Sequence, residues 1–266
     1  MLTNFHTHTT FCDGRSTPEE LVLAAREKGF SALGFSGHGY TPYDLRYCMK
    51  DTAGDVAEIH RLKKAFLGEI DVFLGIEEDA LAPVSSAPFA YRIGSCHYLC
   101  AGGEYYPLDS SRDHLLRCLS RFDGDPAALA ECYFDTFCGY IRRCRPEIIG
   151  HFDLITKFDE TDAPLFSDSA AYRRIAARAA ESIARSGALI EVNTGAMARG
   201  LRTTPYPAAE ILHVLRQADA PLILSSDCHD AKNIDFGFAE AKALLRELGF
   251  RRLFTLTETG AAAYEI

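Results

Sequence analysis

The feature that most constrains the fold is an alternation repeated along the whole chain. Short apolar runs rich in branched and aromatic residues take turns with longer stretches of helical character. The strand-like runs are Leu2–His6, Ala32–Phe35, Val72–Ile76, Tyr91–Gly94, Ile148–His151, Leu189–Val192 and Leu222–Leu224, with a weaker one at Leu253–Leu256. Helical stretches are expected at about 18–28, 53–67, 111–121, 126–144, 168–186, 207–218 and 235–248. Thr17-Pro18-Glu19-Glu20 reads as an N-cap, a proline in the first turn and early acids, and Asp125-Pro126 and Tyr206-Pro207 open two more helices. Gly29, Gly187 and Gly249 fall where helices should stop. Strand-then-helix units in this number call for a parallel sheet with helices outside it. No linker, repeat or low-complexity tract interrupts them, so one domain over 1–266 is expected.

An open doubly wound sheet and a closed (β/α) barrel share this pattern, and the polar residues choose between them. His6 and His8 end the first strand, at the i, i+2 spacing that sends two imidazoles the same way from extended backbone. His38, His97, His151 and His229 also sit at strand ends or in the loops just after, whereas His60, His114 and His213 fall inside helical stretches. Glu77 and Asp227 follow apolar runs, where an unpartnered carboxylate is costly to bury. In a barrel these C-terminal strand ends converge on one face; in an open sheet they lie in a row. An α/β fold with a TIM-like barrel is therefore expected.

With Asp13, these make nine nitrogen and oxygen donors, more than one zinc takes. They suit two or three divalent ions, with Glu77 bridging, and the imidazole–carboxylate mixture fits Zn, Fe or Mn. Cys12, Cys96 and Cys228 stand beside these residues and read as small buried side chains, Cys96 and Cys228 pointing away. Nine cysteines without a CxxC pair are not a disulfide framework, which fits reduced thiols and a cytoplasmic protein. A formal charge of −9 argues against a nucleic-acid or anionic membrane partner, and no apolar run reaches membrane-spanning length. A small anionic substrate stays possible, because a metal cluster reverses the local field. Multinuclear sites of this kind activate water and steady a phosphoryl group. GxxxxGK[ST], GxGxxG and GxSxG motifs are absent from the sequence.

The stretches FHTHTTFCDGRSTPEEL, FSGH, LGIEED, IGSCHYL, GHFDLITKF, EVNTG and SSDCHD resemble the PHP (polymerase and histidinol phosphatase) family, in order and spacing, from residue 5 to 230. The resemblance implies a distorted (β/α)7 barrel carrying two or three metals. It implies His6, His8, Glu77 and Asp227 around a first ion, Glu77, His97 and His151 around a second, and Asp13, His38 and His229 around a third. GEYYPLDSS, GHFDLITKF and EVNTG…RG…PYP are similar to the histidinol-phosphatase branch. The implied reaction is hydrolysis of L-histidinol phosphate to L-histidinol and phosphate, a step of histidine biosynthesis, by a metal-bridging hydroxide. In that scheme Asp227 or His229 protonates the leaving alkoxide. Arg199 grips a phosphate oxygen, with Arg202 and Lys157 as second choices. Tyr40, Tyr43 and Arg46, and the insert from Tyr98 to Asp109, are candidate lid elements.

Rival readings are a PHP phosphoesterase acting on nucleotides or phosphotyrosine, an amidohydrolase-type barrel and a non-catalytic metal-binding module. Amidohydrolases start with a similar HxH but use a bridging lysine and fewer carboxylates.

Overall fold

A computed structural model of the chain describes residues 1–85 and 87–266. The elements run β1 (Thr3–Asn4), α1 (Pro18–Glu27), β2 (Ala32–Phe35), α2 (Thr52–Ala65), β3 (Asp71–Asp79), β4 (Tyr91–Ser95), β5 (Tyr98–Ala101), β6 (Glu104–Pro107), α3 (Arg112–Ser120), α4 (Pro126–Cys144), β7 (Ile148–Ile149), α5 (Ala170–Ala184), β8 (Leu189–Asn193), α6 (Gly195–Ala198), α7 (Ala209–Gln217), β9 (Leu222–Ser225), α8 (Phe238–Glu247), β10 (Arg252–Thr257) and β11 (Gly260–Glu265). The first helix starts where its sequence says. Thr17 and Glu20 close a capping box, Glu20 accepting from the Thr17 N–H at 2.7 Å, with Pro18 in the first turn.

The main sheet is ordered β1-β2-β3-β4-β7-β8-β9-β10-β11, parallel from β1 through β10. The fold is thus mixed α/β on a parallel sheet. The expected closed barrel is not a continuous ladder. Between β9 and β1 the link is an isolated parallel bridge from Thr7 to Cys228, with the His8 N–H donating to the Cys228 carbonyl at 2.9 Å. Lower down, β9 pairs with β10 instead, at Phe254 and Ile223.

The β10–β11 hairpin lies outside the strand–helix alternation. Its last strand, Gly-Ala-Ala-Ala-Tyr-Glu, is mostly exposed and gives no apolar signal. The second unforeseen pairing is the antiparallel hairpin β5–β6 inside the Tyr98–Asp109 insert. Among the described residues no helix is long and apolar enough to cross a membrane.

Inside the curl, Phe5, Phe73, Tyr91, Ile93, Ile148, Leu189 and Ile223 form a buried apolar plug. Tyr91 is its centre, with its hydroxyl 2.7 Å from the Phe5 carbonyl. Gly34 and Gly75 make room for that ring: a Cβ would stand 2.3 Å and 2.2 Å from it. A second, larger core packs the helices on the outer face of the sheet.

Candidate metal centre

Above the plug the strand ends turn polar. β3 continues past Ile76 through Glu77, Glu78 and Asp79, so Glu77 lies within the strand rather than after it. It stands at the hub of five imidazoles. Its Oε2 lies 2.9 Å from His38 Nδ1, 3.3 Å from His6 Nε2 and 3.5 Å from His8 Nε2. Its Oε1 lies 3.1 Å from His151 Nε2 and 3.3 Å from His97 Nε2. Asp227 Oδ1 approaches His8 Nε2 at 3.2 Å and His6 Nε2 at 3.7 Å. Across the opening, Asp13 Oδ2 lies 3.4 Å from His229 Nε2, and its Oδ1 lies 3.7 Å from His38 Nε2. The rings of His8 and His229 stack at 4.1 Å, although they come from opposite ends of the chain.

All nine expected residues therefore meet. Donor atoms within ligand-sharing distance fall into four groups: His6, His8 and Asp227; His6, Glu77 and His151; His38, Glu77 and His97; and His8, Asp13, His38 and His229. These groups cut across the expected partition: Glu77 falls with His6 and His151 and again with His38 and His97, and not with His6, His8 and Asp227, while His8 joins the Asp13 group as well.

This donor set fits divalent cations. His6 Nε2, His8 Nε2 and Glu77 Oε2 are buried and have no hydrogen-bond partner. Leaving such atoms unpaired costs about 1–3 kcal/mol each, a cost that coordination removes. Burial would push the Glu77 carboxyl up, but the charges of His6, His38 and His97 outweigh it and hold it well below the usual carboxylate range. Burial, then His229 and His38, lowers His8 to about 3, leaving a neutral imidazole, the form that binds metal. The neighbouring thiols are not among these donor groups: burial pushes Cys12 and Cys228 up to about 12, and Cys96 and Cys228 pack in the outer core. Asp227 sits at φ +49°, in the left-handed region. Such strain at a functional side chain persists when surrounding contacts hold it.

Several supporting residues escaped the sequence reading. Glu191, buried in β8, accepts from His6 Nδ1 at 2.6 Å and from the His151 N–H at 2.8 Å. Asp79 accepts from the His97 N–H at 2.8 Å, and Ser95 donates to Glu77 Oε1 at 2.6 Å. Asn4 accepts from the His6 N–H at 3.1 Å. An acid inside an apolar strand, as in Leu-Ile-Glu-Val-Asn, marks Glu191 as out of place, but the group each of these residues meets is not written in the sequence.

The centre opens into a cleft of about 810 Å³. Arg199, at the end of α6, reaches in from one side. Its Nη2 donates to Asp227 Oδ2 at 2.9 Å, and its Nη1 lies 3.4 Å from His229 Nδ1. Lys157 lines the cleft and pairs with Asp109 at 3.0 Å. Arg202 is held elsewhere: its Nη1 donates to Thr156 Oγ1 at 2.6 Å, and its guanidinium stacks 4.4 Å from the Tyr206 ring. Of the lid candidates, Tyr40 is exposed, and Arg46 forks onto Asp44. Tyr43 stacks on Tyr105 of the β5–β6 hairpin at 4.1 Å and donates to Asp79 at 2.6 Å. Loop and hairpin thus make one aromatic wall, to which Tyr47 adds a ring stacked on Tyr98.

The family profile described as PHP domain matches residues 4–195, most of the chain. The chain belongs to the PHP family. A PHP relative from Deinococcus radiodurans, named "Probable histidinol-phosphatase", is 30% identical over 264 residues, covering 94% of this chain and 95% of the relative. The histidinol-phosphatase of Bacillus subtilis is 24% identical over 258 residues, covering 88% and 95%. Among solved structures, histidinol phosphate phosphatase from Lactococcus lactis, complexed with Zn, L-histidinol and phosphate, superposes with a TM-score of 0.77 at 18% identity, covering 98% of each chain. At that identity the likeness speaks for the fold.

Proposed function

We propose that this chain is a metal-dependent phosphoric monoester hydrolase, a histidinol-phosphatase that converts L-histidinol phosphate to L-histidinol and phosphate. The observation that carries the reading is the convergence of nine imidazole and carboxylate side chains on one cleft, with His6 Nε2, His8 Nε2 and Glu77 Oε2 buried and unpartnered. The relatives' names supply the substrate. In this reading the chain works as one cytoplasmic domain over 1–266, its curled sheet acting as a distorted (β/α)7 barrel.

His6, His8, Glu77 and Asp227 would hold one ion, Glu77, His97 and His151 a second, and Asp13, His38 and His229 a third, of Zn, Fe or Mn. Such ions supply activated water near neutral pH and neutralise charge on phosphoryl oxygens. The chain's own residues do the rest. Arg199, beside Asp227 and His229, binds a non-bridging phosphate oxygen, as a guanidinium fork does. Lys157 also lines the cleft, and Arg202 props the wall behind it. His229 is better placed than Asp227 to protonate the leaving alkoxide. Its ring is 25% exposed against 8% for Asp227, and Arg199 approaches it less closely, at 3.4 Å against 2.9 Å.

The test is phosphate release by metal-replete protein from L-histidinol phosphate, nucleotide monophosphates and phosphotyrosine. We expect kcat/KM for L-histidinol phosphate to exceed the others by at least about a hundredfold. Preference for a nucleotide or phosphotyrosine would replace this reading with the corresponding phosphoesterase, and hydrolysis of none would leave a metal-binding module.

A further inference from the structure

Histidinol phosphate is not a simple phosphate monoester. An ammonium group sits on the carbon next to the one that bears the ester, so a selective site must read a cation beside an anion. The cleft-lining carboxylates are Asp13, Asp44, Asp109, Asp227 and Asp230. Asp13 and Asp227 belong to the metal donors. Asp44 is spent on the Arg46 fork and on the Tyr98 hydroxyl, which donates to it at 2.6 Å. Asp230 caps the next turn, accepting from the Lys232 N–H, and pairs with the exposed Lys232 ammonium. Asp109 alone is paired with a single cleft-lining lysine, a partner that a substrate could replace. That partner is Lys157 Nζ, at 3.0 Å, with only a tenth of its side chain exposed.

The fold holds Asp109 at this point. It follows β6 and precedes Ser111, the N-cap of α3, and the Leu108 N–H is tied to the His97 carbonyl at 2.9 Å. Asp109 lines the same cleft as His97 and His151 and as the Tyr98 and Tyr47 rings. It thus shares the cleft with candidate metal donors and with the aromatic wall along which the carbon skeleton of a bound substrate would run.

We propose that Asp109 is the subsite for the substrate's ammonium group, and that the Asp109–Lys157 ion pair opens on binding into two new pairs, ammonium on Asp109 and phosphate on Lys157. This rests on the histidinol-phosphatase reading. A partly buried ion pair is worth little against its desolvation, so exchanging it for two charge-assisted pairs is favourable. A phosphate ester without the amine meets the opposite situation. It draws Lys157 away and leaves Asp109 unpaired beside its own negative charge. The pair therefore selects for the amine and against esters that lack it.

The experiment measures kcat/KM of the metal-replete enzyme for L-histidinol phosphate and for imidazolylpropyl phosphate, the same molecule without its amine. Wild type should prefer the amine about 10- to 100-fold, the range for one charge-assisted contact. Asp109→Asn should bring that ratio to within about threefold, mainly by raising KM for the amine substrate, while metal content and Tm show that the variant is folded. Asp109→Glu should keep part of the preference. Wild type supplies a check independent of any variant: L-histidinol should inhibit at least about tenfold better than imidazolylpropanol. Equal inhibition, or a preference undiminished in folded Asp109→Asn, would overturn the subsite and leave the functional reading standing. Hydrolysis of neither ester by wild type would overturn both.

Discussion

The lower and upper halves of the sheet's interior are built on opposite terms. Below, Phe5, Phe73, Tyr91, Ile93 and Ile148 close into an apolar plug, and the polar atom at its centre, the Tyr91 hydroxyl, is satisfied by the Phe5 carbonyl. Above, Glu77 draws five imidazoles together, and buried atoms of His6, His8 and Glu77 have no hydrogen-bond partner. The lower half gives stability; the upper half spends it to hold donors in place for a ligand. The boundary is sharp along the chain: Phe5 packs in the plug, and His6 one residue later belongs to the candidate metal donors.

Substituting each half separately should break the comparison if it is wrong. The largest effect is expected at Glu77, which falls in two of the four candidate donor groups. Glu77→Gln should lower kcat/KM by at least about 10⁴-fold and reduce bound metal per chain, read by phosphate release and elemental analysis. Near-normal activity would show that the hub is not functional. In the plug, Phe73→Ala should cost about 3–5 kcal/mol in denaturant unfolding while the folded fraction keeps its metal content. Loss of metal by the folded fraction would mean that the halves are coupled.

A defect outside the plug sharpens the point further. Asp55, buried in the first turn of α2, is pushed up to about 7, by burial first and by the charge of Asp51 second. A carboxyl raised in the folded state contributes stability below its unfolded pKa, and that contribution is lost as pH rises to about 7. Asp55→Asn should therefore be more stable than wild type at pH 8, by about 2–4 kcal/mol, the gain shrinking steadily toward pH 4. A gain independent of pH would rule out this cause. The smallest predicted effect is at the cleft. Arg199→Ala should lower kcat/KM about 10- to 100-fold. Arg202→Ala should cost Tm and change kcat/KM less than about threefold, since its guanidinium stacks on Tyr206 and bonds Thr156.

The same division explains what the sequence could disclose. Runs such as Ala32–Phe35 and Leu189–Val192 were legible because both faces of a parallel strand are buried, and β2 and β8 appear there. The nine side chains that converge on the cleft were legible because histidines and acids at strand ends break that apolar pattern. Glu191, Asp79 and Ser95 were not, because their role is visible only through the side chain or backbone group each one meets across the sheet. β11 was missed because its exposed small residues carry no burial period, and the β5–β6 hairpin because its strands are short and bury only Tyr98 and Leu99. Closure was over-read. Convergence of donors requires a curled sheet, and the structure meets that requirement with a single bridge from Thr7 to Cys228 where a full ladder was expected.

The most direct test of the central claim is metal removal and return on one preparation. Protein stripped by a chelator should release phosphate from L-histidinol phosphate at a small fraction of the untreated rate. Adding back Zn, Fe or Mn should restore it in proportion to bound ions, saturating at two or three per chain. An undiminished rate with metal below about a tenth of an ion per chain would contradict the account.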